Sequence, residues 1–250
     1  MAAFSFPAEA EKTVLLAGYG WFSGIPEGET NSTELIARAL DGQIVRSQDR
    51  RVTARVCGLV VPVMWDRAFA HVERAVKELN PDIVLALGTD AGAGAMRPEP
   101  FGVNWCEGTD AAPENPALQS ARSGPIVPGG PAVLRGTLPY EEMTLAMLRA
   151  GYPAYMGSVE DAQTPAGKQS TTGYYLCNFM AYRLAQYAAE HSLRAGFMHV
   201  PTQPAYAAGR RLARIAGEPE ALSQPLRPSM TLAMMIEATQ TALGACLGAL

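Results

Sequence analysis

Short apolar runs that end near glycine or proline recur along the chain. The runs "TVLLAGYG" (Thr13–Gly20) and "DIVLALGT" (Asp82–Thr89) have the length and composition of buried strands. The segment "RVTARVCGLVVPV" (Arg51–Val63) is β-branched and partly alternating, and "AGFMHVP" (Ala195–Pro201) has the same apolar character. We predict that each of these segments forms a strand, with a further strand near Ala154.

Between these runs, apolar residues recur at the spacing of an amphipathic helix. Asn31, Ser32 and Thr33 offer N-caps for "ELIARAL", and "MWDRAFAHVERAVKELN" runs into Pro81. Further predicted helices cover about Tyr140 to Arg149, the segment after Cys177, and "SMTLAMMIEATQTALGACL" at the C-terminus. Alternating strands and helices predict an α/β fold with a largely parallel sheet covered on both faces. We expect one domain over residues 1–250, with residues 1–12 as a flexible tail.

Segments rich in glycine, proline or polar residues interrupt this alternation. They are Ser23–Thr30, Gly92–Gly130, Val159–Gly173 and Thr202–Pro228. The longest exceed ordinary connections, so we expect either functional loops or partly disordered segments. In α/β sheets, ligands bind where loops leave the carboxyl ends of strands, and several candidate residues lie there. The cluster Arg210, Arg211 and Arg214 in the last segment is interpreted as a solvated helix face.

Composition narrows the class of protein. The chain has 250 residues, 48% of them apolar, with a net charge of −4 and a pI near 5.5. These values favour a soluble acidic protein with no nucleic-acid partner. The chain lacks an apolar run of the roughly 18 residues that a membrane span needs, and "MAAFSFPAEAEK" lacks the features of a signal peptide. The four cysteines are far apart in sequence, so we expect free thiols in a reducing cytoplasm. We expect neither a metal nor an organic cofactor.

Cys177 stands out among the cysteines because it follows the small-residue turn "TTGYYL" and precedes a predicted helix. Unpaired N–H groups and the helix dipole stabilise a thiolate at such a position, which favours a nucleophile. The alternative is a small buried apolar residue, which is the commoner fate of a lone cysteine. The residues around Cys177 leave both interpretations open.

A cysteine nucleophile needs a base and a group that orients the base. Of the three histidines, His71 lies in mid-helix among charged residues and His191 ends a helix. His199 instead closes the apolar strand "AGFMHVP", where it is either a base or a core histidine. Glu99, between two prolines, is a possible orienting carboxylate, although alone it would be interpreted as a surface residue.

Seven segments match, in order, the motifs of one known family. They are "GYGWFSG" with "NST", "NPDIVLALGTDAG", "PEPFGVN", "GGPAVLRGTLPYEEM", "TTGYYLCN", "AGFMHVP" and "RPSMTL". On these motifs the chain resembles the pyroglutamyl peptidase I (pyrrolidone carboxyl peptidase) family of cysteine peptidases. The resemblance implies an α/β/α sandwich around a mixed sheet. It places the family's catalytic residues on Cys177, His199 and Glu99, and implies hydrolysis of the amide bond after an N-terminal pyroglutamyl residue through a thioester.

The resemblance also implies a substrate pocket and an assembly. Tyr19, Phe22, Tyr175 and Leu176 match pocket-lining positions, and Thr89 stands where the family has glutamine. The backbone N–H of Cys177 is a candidate donor to the oxyanion. The implied partner is a peptide or small amide substrate, and the family's habit implies a homo-oligomer, either a dimer or a tetramer.

Departures from the family pattern leave other functions open. Whether Arg97 in "GAGAMR" takes the place of a family arginine is left open by the sequence, and Ala112 stands where another arginine is expected. The opening loop is longer than expected, and "VEDAQTPAGKQ" resembles an insertion. The alternatives are a related amidohydrolase acting on another small cyclic or acylated amide, and a binding protein without catalysis. A phosphorylase built on a similar sheet is a weaker alternative.

Overall fold

A mixed sheet of six strands forms the centre of the computed structural model, which describes residues 10–22, 25, 29–111 and 116–250. The strands are β1 (Lys12–Tyr19), β2 (Ile44–Arg46), β3 (Thr53–Val61), β4 (Ile83–Thr89), β5 (Arg97–Glu99), β6 (Phe101–Val103), β7 (Cys106–Thr109), β8 (Ala121–Gly124), β9 (Val133–Arg135), β10 (Val159–Asp161), β11 (Lys168–Ser170) and β12 (Arg194–Val200). The central sheet has the order β2-β3-β1-β4-β12-β5, and its inner four strands are parallel. Both edge strands are antiparallel to their neighbours.

Helices cover both faces of the sheet. They are α1 (Ser32–Leu40), α2 (Trp65–Leu79), α3 (Tyr140–Arg149), α4 (Leu176–His191), α5 (Pro204–Gly217) and α6 (Leu232–Gly248). The predicted cap of α1 is confirmed, because the Asn31 side chain accepts a hydrogen bond from the Thr33 N–H at 3.1 Å. Helix α2 ends as predicted, at Asn80 in the left-handed conformation just before Pro81.

Alternation along the buried strands divides the core into two layers. In β1, Val14 and Leu16 pack with α1, α3 and α6, whereas Leu15 and Ala17 pack with α2 and α4. The same alternation in β12 places Phe197 on the α2–α4 side. His199, two residues further on, therefore faces the layer that contains α4. The predicted α/β/α sandwich with a mixed, largely parallel sheet is confirmed.

The loop-rich segments contain more structure than their composition indicates. Gly92–Gly130 contains β5 to β8, and "VEDAQTPAGKQ" forms the hairpin of β10 and β11. Thr202–Pro228 contains α5, on which Arg210 and Arg214 are exposed, as interpreted. The strand predicted near Ala154 is wrong, because this residue forms only an isolated bridge with Met96. The bridge does not extend into a strand, because Pro153, the residue before Ala154, has no N–H to continue the ladder.

Some predictions concern residues outside the described ones. These include most of the tail assigned to residues 1–12, although β1 already begins at Lys12. Most of the opening loop and Ala112 also lie outside the described residues. Within the described part of the chain, no helix is both long and apolar enough to cross a membrane.

Candidate active site

The candidate site lies where β4, β5 and β12 meet the beginning of α4. His199 of β12 is opposite Gly88 of β4 in the parallel register and opposite Arg97 of β5 in the antiparallel one. Glu99 is two residues beyond Arg97, so both side chains lie on the same face of β5. Cys177 is the second residue of α4. Residues from distant parts of the sequence thus converge at one end of the sheet.

Cys177, His199 and Glu99 form a continuous hydrogen-bonded row. The Nδ1 atom of His199 lies 2.8 Å from Oε1 of Glu99, and the imidazole hydrogen-bonds the Cys177 side chain. Burial alone would lower the pKa of His199. The negative charge of Cys177 and the hydrogen bonds to Cys177 and Glu99 outweigh it, raising this pKa from 6.5 to about 9. This arrangement lets the imidazole hold a proton beside the Cys177 side chain at neutral pH.

The beginning of α4 is anchored by Asn178, the residue after the cysteine. Its Oδ1 accepts from the Val103 N–H at 2.8 Å, and its Nδ2 donates to the carbonyls of Val103 and Trp105. The side chain is fully buried. Because the first N–H groups of a helix have no acceptor within the helix, the N–H of Cys177 can point at a developing oxyanion. Asn178 therefore fixes the position of both the thiol and this donor.

All five residues predicted to contact substrate line one cavity beside the thiol. The cavity has a volume of about 110 Å³ and is lined by Tyr19, Phe22, Asn31, Val63, Thr89, Tyr175, Leu176 and Cys177. Asn31 was predicted as a helix cap and as part of the motif "GYGWFSG" with "NST", but neither Asn31 nor Val63 was predicted to line the pocket. The family motif was the available signal for Asn31. The structure brings these residues together and leaves them on the same side of the sheet as His199.

Hydrogen bonds inside the protein hold the polar atoms of this cavity. The Tyr19 hydroxyl donates to the Leu176 carbonyl at 2.8 Å, and burial raises the pKa of Tyr19 well above its ordinary value. The Thr89 hydroxyl donates to Oδ1 of Asn31 at 2.6 Å. Tyr175 donates to the Thr109 carbonyl, and mainly because of burial its pKa rises to about 12. Apart from Cys177, the described lining is therefore mostly apolar, and its hydroxyls are engaged in hydrogen bonds within the protein.

Gly88 makes room for the thiol and the imidazole. A Cβ atom on this residue would lie 2.5 Å from the Phe197 ring and 2.7 Å from Sγ of Cys177. Both distances are shorter than side-chain carbons tolerate, so a larger residue would displace the thiol, the ring or the strand. Gly88, which the sequence predicted only as the end of a strand, is therefore needed to leave room for the Cys177 thiol and the Phe197 ring.

We expect Gly88→Ala to lower kcat by about 100-fold, because a displacement of about 1 Å disrupts the alignment of reacting groups. The measurement is steady-state hydrolysis of the amide that the sequence resemblance implies as substrate, with thermal unfolding recorded in parallel. Gly217→Ala is the matched control, because a Cβ there meets no atom within 4 Å. Unchanged kcat in Gly88→Ala would contradict the tight packing of the thiol.

The remaining histidines and cysteines lie elsewhere. His71 contacts the Arg67 carbonyl on α2, and His191 packs against Tyr187 at the C-terminal end of α4. Burial raises the pKa of Cys57, Cys106 and Cys246, the last to about 12, whereas Cys177 is only partly buried. All four cysteines are free thiols, as expected. Cys177 is thus the thiol that is both accessible and next to a histidine.

Comparison with known proteins agrees with this geometry. A family model described as pyroglutamyl peptidase matches residues 12–248. The pyrrolidone-carboxylate peptidase of Pyrococcus furiosus is 31% identical over 193 residues, which is 76% of this chain and 81% of that protein. The corresponding protein of Klebsiella pneumoniae (strain 342) is 30% identical over 236 residues, covering 94% and 92% of the two chains.

Solved structures show the same fold. The pyrrolidone carboxyl peptidase of Thermococcus litoralis gives a TM-score of 0.74 at 26% identity, over 95% of this chain and 94% of that one. A mutant of the P. furiosus enzyme gives 0.73 at 28% identity, over 95% and 99%. Fold, thiol site and sequence similarity together define a cysteine peptidase. The chain belongs to the pyroglutamyl peptidase family.

Proposed function

We propose that this protein hydrolyses the amide bond that follows an N-terminal pyroglutamyl residue, with Cys177 as nucleophile, His199 as acid and base, and Glu99 as the group that orients His199. The observation that carries the proposal is the row Glu99–His199–Cys177 at the rim of a small apolar cavity. A nucleophile, a base and an orienting carboxylate in contact are the parts that acyl transfer needs.

Acylation begins when the Cys177 thiolate attacks the carbonyl carbon between the pyroglutamyl ring and the next residue. The carbonyl oxygen becomes an oxyanion, which the Cys177 N–H at the beginning of α4 can stabilise. The protonated His199 then gives its Nε2 proton to the leaving nitrogen. The C–N bond breaks, the shortened peptide leaves with a free amine, and a pyroglutamyl thioester remains on Cys177.

Deacylation uses the same groups in the opposite roles. Neutral His199 takes a proton from water, and the resulting hydroxide attacks the thioester carbonyl. The C–S bond breaks, pyroglutamate leaves, and His199 and Cys177 return to the ion pair. Throughout, the 2.8 Å contact with Glu99 keeps the proton on Nδ1, so that Nε2 faces the thiol and the substrate.

The cavity explains the choice of a small cyclic residue. Its volume of about 110 Å³ suits one five-membered ring, and the described residues that line it include no Asp, Glu, Lys, Arg or His. A free α-amine would therefore be desolvated without compensation, whereas a lactam is neutral. Phe22, Val63 and Leu176 provide apolar walls, and the fixed amide and hydroxyl of Asn31 and Thr89 provide the polar end.

The substrate assignment is tested with two fluorogenic amides that differ only in the ring. We expect release from a pyroglutamyl amide and at least about 100-fold slower release from the prolyl amide, which has a charged amine and no ring carbonyl. Equal rates, or turnover of the prolyl amide alone, would contradict the assignment. Turnover of neither amide by folded protein, while iodoacetamide still labels Cys177, would favour the related amidohydrolase.

The pH dependence follows from the raised pKa of His199. Acylation needs the imidazolium, so we expect kcat/KM to fall as pH rises through about 9. The same pairing stabilises the fold fully below about 6.5, and that contribution is lost as pH rises through about 9. A kcat/KM profile and thermal unfolding across this range measure both effects. An activity that stays flat beyond pH of about 10 would exclude an imidazolium as the acid.

Two further expectations belong to this proposal. A thiol nucleophile must remain reduced, which supports a reducing compartment such as the cytoplasm. We also propose that the chain acts as one domain and assembles as a homo-oligomer, a dimer or a tetramer, on the strength of the family resemblance. Light scattering at several protein concentrations would distinguish these assemblies from a monomer.

A further inference from the structure

A buried arginine lies directly behind the row of catalytic groups. The side chain of Arg97 is only 7% exposed and contacts two carboxylates, Asp90 and Glu99. The site therefore continues as an alternating series of charged groups, from Asp90 through Arg97, Glu99 and His199 to Cys177. Neither the acyl-transfer steps nor the substrate cavity uses Arg97.

The hydrogen bonds of Arg97 fix the guanidinium from several directions. Its Nε donates to Oε1 of Glu99 at 2.6 Å, and Nη1 donates to the Tyr155 hydroxyl at 2.7 Å. Its Nη2 donates to Oδ2 of Asp90 at 2.8 Å and to the Thr171 carbonyl at 3.0 Å. The Thr171 hydroxyl donates to the other oxygen of Glu99. Both oxygens of the Glu99 carboxylate are thereby held in place.

The same contacts decide which nitrogen of His199 carries a proton. Nη2 of Arg97 lies 3.1 Å from Nδ1 of His199, but its two hydrogens are already donated to Asp90 and Thr171. Nδ1 lies 2.8 Å from Oε1 of Glu99, which can only accept when ionised. Nδ1 must therefore be the donor to Glu99, and Nε2 is left for Cys177.

We propose that Arg97, neutralised by Asp90, is a positioning residue of this enzyme: it holds the Glu99 carboxylate in its orientation, and thereby sets the tautomer and proton affinity of His199. The inference rests on the amide hydrolysis proposed above. Arg97 acts through Glu99 and His199 and touches neither substrate nor the reacting atoms. Its place opposite His199 in the antiparallel register explains why a residue of β5 reaches both groups.

The charges around His199 predict the direction of each substitution. The groups that face it are Cys177 from α4, Glu99 and Arg97 from β5, and Asp90 from the loop after β4. Removing a cation makes every proton of the cluster harder to release. Arg97→Met should therefore move both limbs of the pH profile of Cys177 alkylation to higher pH. Asp90→Asn removes an anion and should move both limbs to lower pH.

A purely structural role predicts a different result. A buried arginine that only cross-links loops would, when replaced, lower stability and kcat together without shifting the pH profile. Arg97→Lys separates the two possibilities, because lysine keeps the charge but loses the planar set of donors. The matched control is Arg38→Met, since Arg38 donates from the same Nε atom to Oε1 of Glu34 at 2.9 Å on an exposed helix face.

The experiment measures the rate of Cys177 alkylation by iodoacetamide as a function of pH, together with kcat and KM for a pyroglutamyl amide. The variants are Arg97→Met, Arg97→Lys, Asp90→Asn and Arg38→Met, with Cys177→Ala as the blank. For Arg97→Met we expect alkylation limbs about one pH unit higher, kcat about 10- to 100-fold lower, and little change in KM. Arg97→Lys should recover the pH profile more than kcat, and Arg38→Met should match wild type.

The inference is overturned if Arg97→Met keeps the wild-type alkylation profile, or if Asp90→Asn shifts it in the same direction as Arg97→Met. If Arg97→Met does not fold, Asp90→Asn decides the question: an alkylation profile at lower pH than that of Arg38→Met retains the inference, and an unshifted profile overturns it. Alkylation needs no substrate. A shifted profile without turnover of the pyroglutamyl amide would therefore retain the role of Arg97 while contradicting the proposed substrate.

Discussion

Replacing Cys177 with alanine is expected to reduce hydrolysis of a pyroglutamyl amide by about 10⁶-fold, the size of effect seen when a nucleophile is removed from a preorganised site. Among the described lining residues no group can take over, because their hydroxyls are phenols or a threonine held by internal hydrogen bonds. His199 would then face a methyl group, and the bond-forming step would be lost while the cavity stayed intact.

The control for this substitution is Cys57→Ala. Cys57 is a buried thiol of β3 on the sheet, and its replacement should cost stability and leave kcat unchanged. Cys177→Ala should still bind pyroglutamate, as measured by thermal shift, because the cavity walls remain. If the activity of Cys177→Ala were comparable to that of wild type, Cys177 would not be the nucleophile.

Glu99→Gln is expected to lower kcat by about 10⁴-fold, the loss that follows when the carboxylate behind a catalytic histidine becomes an amide. The amide can donate to Nδ1, which would turn the imidazole to the tautomer with its proton on Nε2. That tautomer cannot accept the proton of the thiol. The substitution also leaves the buried guanidinium of Arg97 with Asp90 as its single carboxylate partner, and we expect it to destabilise the fold by about 3–5 kcal/mol.

Glu34→Gln provides the comparison for this second loss. Glu34 pairs with Arg38 on the surface of α1, where such pairs contribute about 0–1 kcal/mol. Denaturant unfolding should therefore separate the two variants clearly, and kcat of Glu34→Gln should equal that of wild type. A Glu99→Gln enzyme with wild-type kcat would mean that another group orients His199.

The parallel core of the fold could be predicted from the sequence because its signals are local. β1, β4 and β12 are continuous apolar runs, and α2 carries its own periodicity and a C-terminal stop at Asn80. Strands of a parallel sheet are buried on both faces, so their sequences are continuous apolar runs of this kind. β5 is different, because "RPE" has no strand signal of its own and depends on pairing with β12.

Within the candidate site, the sequence predicts only those residues that belong to a recognisable motif. Cys177, His199 and Glu99 stand in recognisable segments, whereas Arg97, Gly88 and Asn178 matter through partners far away in sequence. A glycine in a strand gives no sign that a thiol and an imidazole occupy the space above it. The ion pairs of Arg97 likewise depend on the register of β5 against β12, which the local pattern does not encode.

The most direct test of the account is the initial rate of fluorophore release from a pyroglutamyl amide by reduced wild-type protein, before and after partial alkylation of Cys177. We expect release to fall in proportion to the alkylated fraction of Cys177. Release that persists when Cys177 is fully alkylated would contradict the mechanism. No release from folded protein whose Cys177 still reacts with iodoacetamide would contradict the substrate.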